Sequence, residues 1–239
     1  KRASAKEITV VVPYFGYARQ DRKAHAREPI TARLVANLLQ TAGIDRVVTL
    51  DLHSPQIQGF FDCPADDLSA IPLLGKYFSK RFPNEDVVVV APDHGGATRA
   101  RKLAMVLETP IAIVDKRRPK PNVAEVMNII GDVRGKICIM IDDIIDTGGT
   151  IITGANALMK NGAKEVYAAC THGLFSNDGL ERLQHSCIKA IITTNTIPRQ
   201  ENQFDKLTVL SIAPMLARAI DHIEKGEPLS LVYDEFGII

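Results

Sequence analysis

The stretch ICIMIDDIIDTGGTIITGANAL, residues Ile137–Leu158, indicates the fold most directly. It begins with an unbroken apolar run at Ile137–Ile141, which is typical of a strand buried on both faces of a parallel sheet. It ends with the apolar periodicity of a helix over Ile151–Asn161, which Gly162 closes. Three aspartates, two glycines and two threonines lie between the two patterns. The stretch therefore predicts a strand, a polar turn and a helix in succession.

The same alternation of strand and helix patterns recurs along the chain. The strand-like runs are Ile8–Val12, Val47–Leu52, Val87–Ala91, Ile111–Val114, Val126–Ile130, Ile137–Ile141, Val166–Thr171, Ala190–Thr194 and Leu207–Leu210. The helical patterns are Ile30–Ala42, Ile71–Phe82, Ala97–Leu107, Ile151–Asn161, Gly179–His185 and Pro214–Glu224. Such alternation favours an α/β fold, with an open, mostly parallel sheet and helices on both faces. Ligands then bind beyond the carboxyl ends of the strands.

Length and composition exclude several classes of protein. The chain has 239 residues, of which 46% are apolar and 24% charged, and this suggests one large α/β domain or two small ones. A net charge of +1 argues against nucleic acid or an acidic membrane as the partner. No apolar stretch approaches the length of a membrane span. The four cysteines match no zinc-binding or Cys-x-x-Cys spacing, so we expect a reducing, cytoplasmic location.

The turn after Ile137–Ile141 combines groups that attract an anion with groups that repel one. Thr147-Gly-Gly-Thr150 precedes the helix, whose first N–H groups and dipole favour a phosphate. Asp142, Asp143 and Asp146 suit hydroxyl groups or a hydrated divalent cation instead. A sugar phosphate offers both a dianion and a diol. An aspartate N-cap with an ordinary glycine turn would explain one acid but not three.

Two further strand ends carry polar side chains. Asp51-Leu-His53 ends one strand, and Pro92-Asp-His-Gly-Gly96 follows another. The glycines let the backbone approach a ligand closely, and the arginines of Thr98–Arg101 could face phosphate. A histidine alone is more often hydrogen-bonded within the fold than bound to a metal. Together, however, His53 and Asp93 suggest a shared Mg²⁺.

Two basic segments flank these strand ends. Arg19-Gln-Asp-Arg-Lys23 follows the first strand, and Lys116-Arg-Arg118 opens a segment to Asn122 that its prolines exclude from regular structure. Charge runs are usually solvated surface. Here a basic loop closing over a polyphosphate would exclude water and neutralise charge in a phosphoryl-transfer transition state.

In combination these motifs resemble the ribose-phosphate pyrophosphokinase family over nearly the entire chain. The segments that carry the resemblance are Val12–Arg22, Asp51–His53, Gln56–Phe61, Pro92–Gly96, Asp115–Pro119 and Asp142–Thr150. The last is shared with phosphoribosyltransferases, whereas the combination is much more specific. The resemblance implies that the anomeric hydroxyl of ribose 5-phosphate attacks the β-phosphorus of Mg-ATP. A pyrophosphoryl group then moves to carbon 1, and AMP leaves.

The resemblance also implies roles for individual residues. The residues that would hold the 5-phosphate are Thr147, Gly148, Gly149 and Thr150, and those for the ribose hydroxyls or a second Mg²⁺ are Asp142, Asp143 and Asp146. The ATP-binding residues would be Arg19, Gln20, Asp21 and His53, and the pyrophosphate loop Asp93, His94, Gly95 and Gly96. His53 and Asp93 would hold the ATP-bound Mg²⁺, so that two ions are expected. Lys116 and Arg118 would be catalytic.

The domain organisation that the resemblance implies is two phosphoribosyltransferase-type domains, assembled as hexamers built from dimers. Family members carry a further segment before the position equivalent to Lys1, so we expect an incomplete first domain at 1–66. Residues 67–220 would form the second domain with its pyrophosphate, flexible and ribose-5-phosphate loops. Residues 221–239 would be a tail that returns to the first domain.

One segment departs from the family pattern. Many bacterial relatives carry an arginine and a serine where His25 and Ala26 stand, after Lys23, at positions that help to bind phosphate or ADP as effectors. Losing a guanidinium and a hydroxyl weakens a phosphate site. We therefore expect altered phosphate activation and ADP inhibition.

Two alternative functions stay open on the sequence. A phosphoribosyltransferase would share the ribose-phosphate loop, but Asp93–Gly96 and Lys116–Arg118 argue against it. A non-catalytic homologue that regulates a true synthetase would keep the fold and lose catalytic residues. The aspartate-rich loop, His53, Asp93, Lys116 and Arg118 are all retained here.

Overall fold

The computed structural model describes residues 1–117, 126–198 and 204–235. Contacts divide the chain into two units, Lys1–Ala70 and Ile71–Ile239. The predicted boundaries after residues 66 and 220 stay predictions: the observed division falls at Ala70, and one helix runs through residue 220. Across the described ranges, every helix is too short or too polar to cross a bilayer.

The first unit is a small parallel sheet with one α-helix. Its elements are β1 (Thr9–Val12), α1 (Thr31–Thr41), β2 (Arg46–Leu50), a 3₁₀ helix (Pro55–Phe60) and β3 (Ala65–Leu68). The strand order is β1-β2-β3, and both pairings are parallel. The core includes Ala32 and Ala36 of α1 and the edge-to-face pair Phe15 and Phe61, whose ring centroids are 5.9 Å apart.

Strand β3 was not predicted, because its sequence Ala-Asp-Asp-Leu lacks an apolar run. The fold accommodates both acids through hydrogen bonds. Asp66 accepts from the Arg46 guanidinium at 2.5 Å, and Asp67 accepts from the Thr49 hydroxyl at 2.9 Å. The Leu52 N–H donates to Asp67 at 3.1 Å. Tertiary pairing therefore outweighs the low strand propensity of aspartate.

The second unit contains most of the chain. Its elements are α2 (Ile71–Arg81), β4 (Val87–Ala91), α3 (Ala97–Leu107), β5 (Ile111–Arg117), β6 (Val126–Ile130), β7 (Ile137–Ile145), α4 (Gly149–Lys160), β8 (Glu165–Gly173), α5 (Gly179–Gln184), β9 (Ile191–Thr194), β10 (Leu207–Leu210), α6 (Ala213–Lys225) and α7 (Leu231–Glu235). The order of the described strands in the sheet is β10-β9-β8-β7-β4-β5-β6, and among these β6 alone runs antiparallel to its neighbour. This architecture confirms the predicted α/β class.

The alternating side chains of β4 explain how the sheet is buried on both faces. Val88 and Val90 pack in the same cluster as Ile151 and Leu158 of α4. Val87, Val89 and Ala91 pack instead in the cluster that contains α2 and α3. Because successive residues of a strand face opposite sides, a run of apolar residues is needed to fill both layers.

Three strands run further than the sequence predicted, and one of them, β8, continues past Thr171 to Gly173. β7 continues past Ile141 to Ile145, so Asp142 and Asp143 lie inside the strand and only Asp146 follows it. β5 continues past Val114 to Arg117, so the prediction that irregular structure begins at Lys116 was wrong for Lys116 and Arg117. The antiparallel partner β6 pairs with them, since Lys116 lies opposite Met127 and Arg117 opposite Val126.

Candidate active site

The two adjacent acids of β7 are held by the sheet. Asp142 lies opposite Cys170 and Ile144 opposite His172 in the parallel pairing with β8. The N–H of Asp143 donates to a carboxylate oxygen of Asp142 at 2.9 Å. Sheet pairing therefore fixes where these carboxyl groups stand.

The carboxyl groups of Asp142 and Asp143 are close together in a low-dielectric place. Burial, followed by the neighbouring Asp143, raises the pKa of Asp142 to about 8. The Arg99 guanidinium of α3 lies 3.9 Å from Asp143 and partly opposes that effect. A cation or hydroxyl donors placed here would relieve the repulsion between the two acids. The pair therefore suits a diol or a hydrated divalent ion.

The turn after β7 opens towards solvent at the start of α4. Thr147 and Thr150 are exposed, and Gly148 has a φ of +73°, a conformation that glycine adopts without a steric cost. α4 begins at Gly149, and its first turn contains no acidic residue. The first N–H groups of a helix have no intrahelical acceptor, so an anion can accept from them.

The loop after β4 is also exposed and is tied by its own aspartate. Asp93 accepts from the N–H of Gly96 at 2.9 Å, just before α3 begins. His94 contacts the buried Asp115, the fifth residue of β5, with 3.0 Å between the ring nitrogen and the carboxylate. From the sequence, Asp115 had no predicted role of its own beyond being the first residue of the segment Asp115–Pro119. Its contact with His94 depends on the neighbouring positions of β4 and β5 in the sheet.

In the first unit, two segments predicted to bind ATP lie side by side. Asp21 accepts from the Ser54 hydroxyl at 2.7 Å and from the Gln56 side-chain amide at 3.0 Å. Ser54 follows His53, which is exposed, as are Arg19 and Gln20. Asp51, in contrast, is buried and accepts from the N–H of Ala70 at 2.8 Å, which identifies it as a structural residue.

The proposed regulatory segment is on the surface of the same unit. Lys23, His25 and Ala26 are exposed. The N–H groups of Ala24 and His25 donate to the Glu28 carboxylate at 3.0 and 2.9 Å. An acid therefore already caps the backbone amides of this turn.

The two predicted catalytic residues lie at or beyond the edge of the residues that the structure describes. The structure gives the backbone of Lys116 within β5 but not the surroundings of its side chain, and Arg118 lies outside the described residues. His53 belongs to the first unit and Asp93 to the second, so their shared Mg²⁺ stays a prediction. Over the described parts of the chain, no three His, Cys, Asp or Glu side chains gather closely enough to hold a metal by themselves.

A cavity of about 340 Å³ opens at the other end of the seven-stranded sheet. Its lining includes Phe78 and Phe82 near the end of α2, Val87 at the start of β4, and Thr109 after α3. These positions precede strands, whereas the candidate site residues lie at the carboxyl ends of strands. The cavity is therefore separate from the candidate site.

Comparison with known proteins places this geometry in a family. Residues 84–234 match the family described as the phosphoribosyl synthetase-associated domain, and residues 1–43 match the N-terminal domain of ribose phosphate pyrophosphokinase. The chain is 61% identical over 235 residues to the ribose-phosphate pyrophosphokinase of Halalkalibacterium halodurans. It is 58% identical over 234 residues to that of Bacillus subtilis. Each match covers 98% of this chain and 74% of the relative.

A solved structure agrees with the sequence comparisons. The phosphoribosylpyrophosphate synthetase of Mycobacterium smegmatis superposes with a TM-score of 0.87 at 48% identity. The superposition covers 94% of this chain and 74% of the other. On the sequence and structure comparisons together, the chain belongs to the ribose-phosphate pyrophosphokinase family.

Proposed function

We propose that this chain transfers the pyrophosphoryl group of ATP to the C1 hydroxyl of ribose 5-phosphate, giving 5-phosphoribosyl 1-pyrophosphate and AMP. The observation that carries the proposal is its 57–61% identity to ribose-phosphate pyrophosphokinases over 98% of the chain. The geometry of β7 and α4 supports it, because carboxylates and an anion-binding helix start occur in succession. A sugar phosphate needs both.

In the reaction, the C1 oxygen forms a bond to the β-phosphorus of ATP. The bond from that phosphorus to the oxygen bridging it to the α-phosphorus breaks, and AMP leaves with that oxygen. The hydroxyl proton is released. Positioning and charge neutralisation dominate the catalysis of such transfers, so the protein must align the two substrates and shield them from water.

The second unit would hold the sugar phosphate. Thr147, Gly148, Gly149 and Thr150 would bind the 5-phosphate with N–H and hydroxyl donors. Asp142, Asp143 and Asp146 would accept hydrogen bonds from the ribose hydroxyls. This arrangement would orient carbon 1 away from the turn, because the phosphate and the diol would be anchored at separate points.

The first unit and the basic residues near β5 would hold ATP and the transferring group. Arg19, Gln20, Asp21 and His53 would contact ATP, and Asp93–Gly96 would face its pyrophosphoryl part. Lys116 and Arg118 would neutralise charge on that group in the transition state. A Lys116→Ala variant tests this role: we expect a large fall in kcat with ribose-5-phosphate binding preserved. Unchanged turnover would remove Lys116 from the mechanism.

Mg²⁺ is the cofactor that these residues fit. Two ions are proposed, one held with ATP by His53 and Asp93 and one near Asp142, Asp143 and Asp146. Burial first, and then the neighbouring Asp143, raises the pKa of Asp142, and a cation bound beside the two acids would oppose this shift. Mg²⁺ keeps several waters and takes substrate phosphates as ligands, so clusters of three protein ligands are not required. When bound, it would screen the phosphate charges.

An AMP-release assay tests the function. ATP and ribose 5-phosphate are incubated with the chain and Mg²⁺ in the absence of any nucleobase. Stoichiometric AMP and 5-phosphoribosyl 1-pyrophosphate are expected. A phosphoribosyltransferase would release nothing without a base, and a non-catalytic homologue would bind ribose 5-phosphate without turnover. Either result would overturn the proposal.

Regulation and assembly are proposed on the same basis. We expect weakened activation by inorganic phosphate and weakened inhibition by ADP, because positions 25 and 26 carry neither a guanidinium nor a hydroxyl. Strong activation in a phosphate titration would contradict this. Dimers and hexamers and a cytoplasmic location also stay predictions, and sedimentation velocity tests the assembly.

A further inference from the structure

The short helix α5 packs directly against the turn after β7. A Cβ at Gly179 would lie 2.9 Å from the carbonyl oxygen of Asp146 and 3.3 Å from the Cα of Thr147. A Cβ at Gly148 would lie 3.0 Å from the Leu183 side chain. The first and fifth residues of α5 therefore touch consecutive parts of the turn, and α5 sets its position.

Arg182, between these contacts, brings a positive charge to the turn. One guanidinium nitrogen donates to the carbonyl oxygen of Thr147 at 3.5 Å. The other terminal nitrogen lies 3.5 Å from the place that a Cβ at Gly149 would take. The side chain is 44% exposed, and Asp178, at 4.0 Å, is its one ion-pair partner among residues 1–117, 126–198 and 204–235. Arginine has five N–H donors, so several remain for a ligand.

The charge balance around the turn calls for such a cation. Asp142, Asp143 and Asp146 stand just before it and repel a phosphate dianion. Arg99 is directed towards Asp143, and the first turn of α4 carries no basic side chain. Apart from the Mg²⁺ proposed near these acids, the groups that favour a dianion at the turn are then the helix-end N–H donors and the threonine hydroxyls, which carry no full positive charge. A guanidinium beside Thr147 and Gly149 would form a charge-assisted contact with a phosphate bound there.

We propose that Arg182 is a further substrate-binding residue, whose guanidinium contacts the 5-phosphate of ribose 5-phosphate. The inference rests on the proposed function and adds a residue from α5, outside the turn itself. With one terminal nitrogen on the Thr147 carbonyl and the other beside Gly149, the guanidinium has donors available to a phosphate bound at the turn. Because the guanidinium presents a planar pair of donors, replacing Arg182 by lysine should weaken phosphate binding, since lysine offers a point charge without that pair.

Calorimetric titration with ribose 5-phosphate tests the proposal on the full chain. Arg182→Gln should weaken binding by about tenfold or more, as expected for a lost charge-assisted hydrogen bond, and Arg182→Lys should restore part of it. The matched control is Arg134→Gln, an exposed arginine that precedes β7, which should leave binding unchanged. Titration with unphosphorylated ribose separates the contribution of the phosphate from that of the sugar. Any weak binding of ribose should be the same in Arg182→Gln as in the unaltered chain.

Steady-state kinetics distinguish a contact of Arg182 with ribose 5-phosphate from a role of Arg182 in stabilising the fold. Arg182→Gln should raise KM for ribose 5-phosphate and leave KM for ATP within about twofold. Equal increases in both constants, or binding of ribose 5-phosphate unchanged by Arg182→Gln, would overturn the inference while leaving the proposed function intact. Failure of the unaltered chain to bind ribose 5-phosphate would overturn both.

Discussion

Gly179 lies against the backbone of Asp146, so closely that a Cβ at position 179 would be 2.9 Å from the Asp146 carbonyl oxygen. Real Cβ atoms do not approach a carbonyl oxygen so closely, and backbone cannot rotate away as a side chain can. The position of the turn after β7 therefore depends on the absence of a side chain at Gly179 of α5.

Gly179→Ala should displace this turn and weaken substrate binding. We expect KM for ribose 5-phosphate to rise by about tenfold or more, since even small misplacement of a binding group is costly, with KM for ATP nearly unchanged. Steady-state kinetics with each substrate varied would measure this. Gly226→Ala is the control: it introduces strain at a φ of +67°, where a Cβ would meet no atom of the described residues within 4 Å. Unaltered ribose-5-phosphate kinetics in Gly179→Ala would show that α5 can move aside.

Asp142→Asn should make the ligand-free protein more stable at high pH. Burial and Asp143 raise the folded-state pKa of Asp142 from 3.8 to about 8. Between these values the folded chain binds a proton that the unfolded chain releases, so stability falls as pH rises from about 4 to 8 and stays reduced above it. The amide keeps an oxygen that can accept from the Asp143 N–H.

Thermal unfolding of both proteins from pH 5 to pH 9 measures the effect. We expect the variant's midpoint to exceed that of the unaltered chain by at least about 2 °C at pH 9, with the difference shrinking towards pH 5. A constant difference across this range would exclude ionisation of Asp142 as the cause. Loss of activity in the variant is expected separately if Asp142 accepts from the sugar.

Gly75→Ala should push α2 and α3 apart. A Cβ at Gly75 would lie 2.4 Å from a methyl carbon of Val106 and 3.2 Å from its Cβ. Overpacking of this kind costs about 1–3 kcal/mol. Urea unfolding should show the loss, and adding Val106→Ala should recover part of it because the space is restored. If the double variant is no better than the sum of the single changes, the clash is not the cause.

Thr109→Val and Thr194→Val should change stability in opposite directions. The Thr109 hydroxyl is buried and has no hydrogen-bond partner among the described residues. Its removal should stabilise the fold by about 1 kcal/mol, since an unsatisfied buried hydroxyl is costly. The buried Thr194 hydroxyl donates to the Thr171 carbonyl at 2.7 Å, and losing that bond should cost about 1–3 kcal/mol. Urea unfolding of both variants measures the contrast, and destabilisation by Thr109→Val would imply an ordered water at that site.

Much of the fold could be predicted because β-branched runs and helix periodicity are local signals. Val87–Ala91 and Ala97–Leu107 have the bounds that the sequence predicted. β3 could not be found in this way, because its two acids become compatible with a strand only after Arg46 and Thr49 reach them. Strand propensity describes a residue apart from its neighbours in the fold, whereas here those neighbours determine that the segment forms a strand.

The site was predicted as a set of segments but not as a set of contacts. The acids of Asp142–Asp146 were found from composition, whereas the extension of β7 through Asp143 depends on pairing with β8. The sequence did not identify Arg182 as a candidate site residue. Gly-Leu-Glu-Arg-Leu-Gln is an ordinary amphipathic helix pattern, in which charged side chains are expected to face solvent. Arg182 lies beside Thr147 because α5 packs against the turn after β7. This packing cannot be predicted from the local pattern of one sequence.

Because β7 continues through Asp143, the two parts of the candidate site are positioned by different elements of the fold. Pairing in the sheet positions Asp142 and Asp143, whereas contacts with α5 position the turn that is proposed to bind the phosphate. On the proposed assignment of the site, substitutions in α5 would change the binding of the phosphate more than the binding of the ribose hydroxyls. Redesign towards other phosphorylated polyols would begin at Gly179, Arg182 and Leu183, and would leave the sheet untouched.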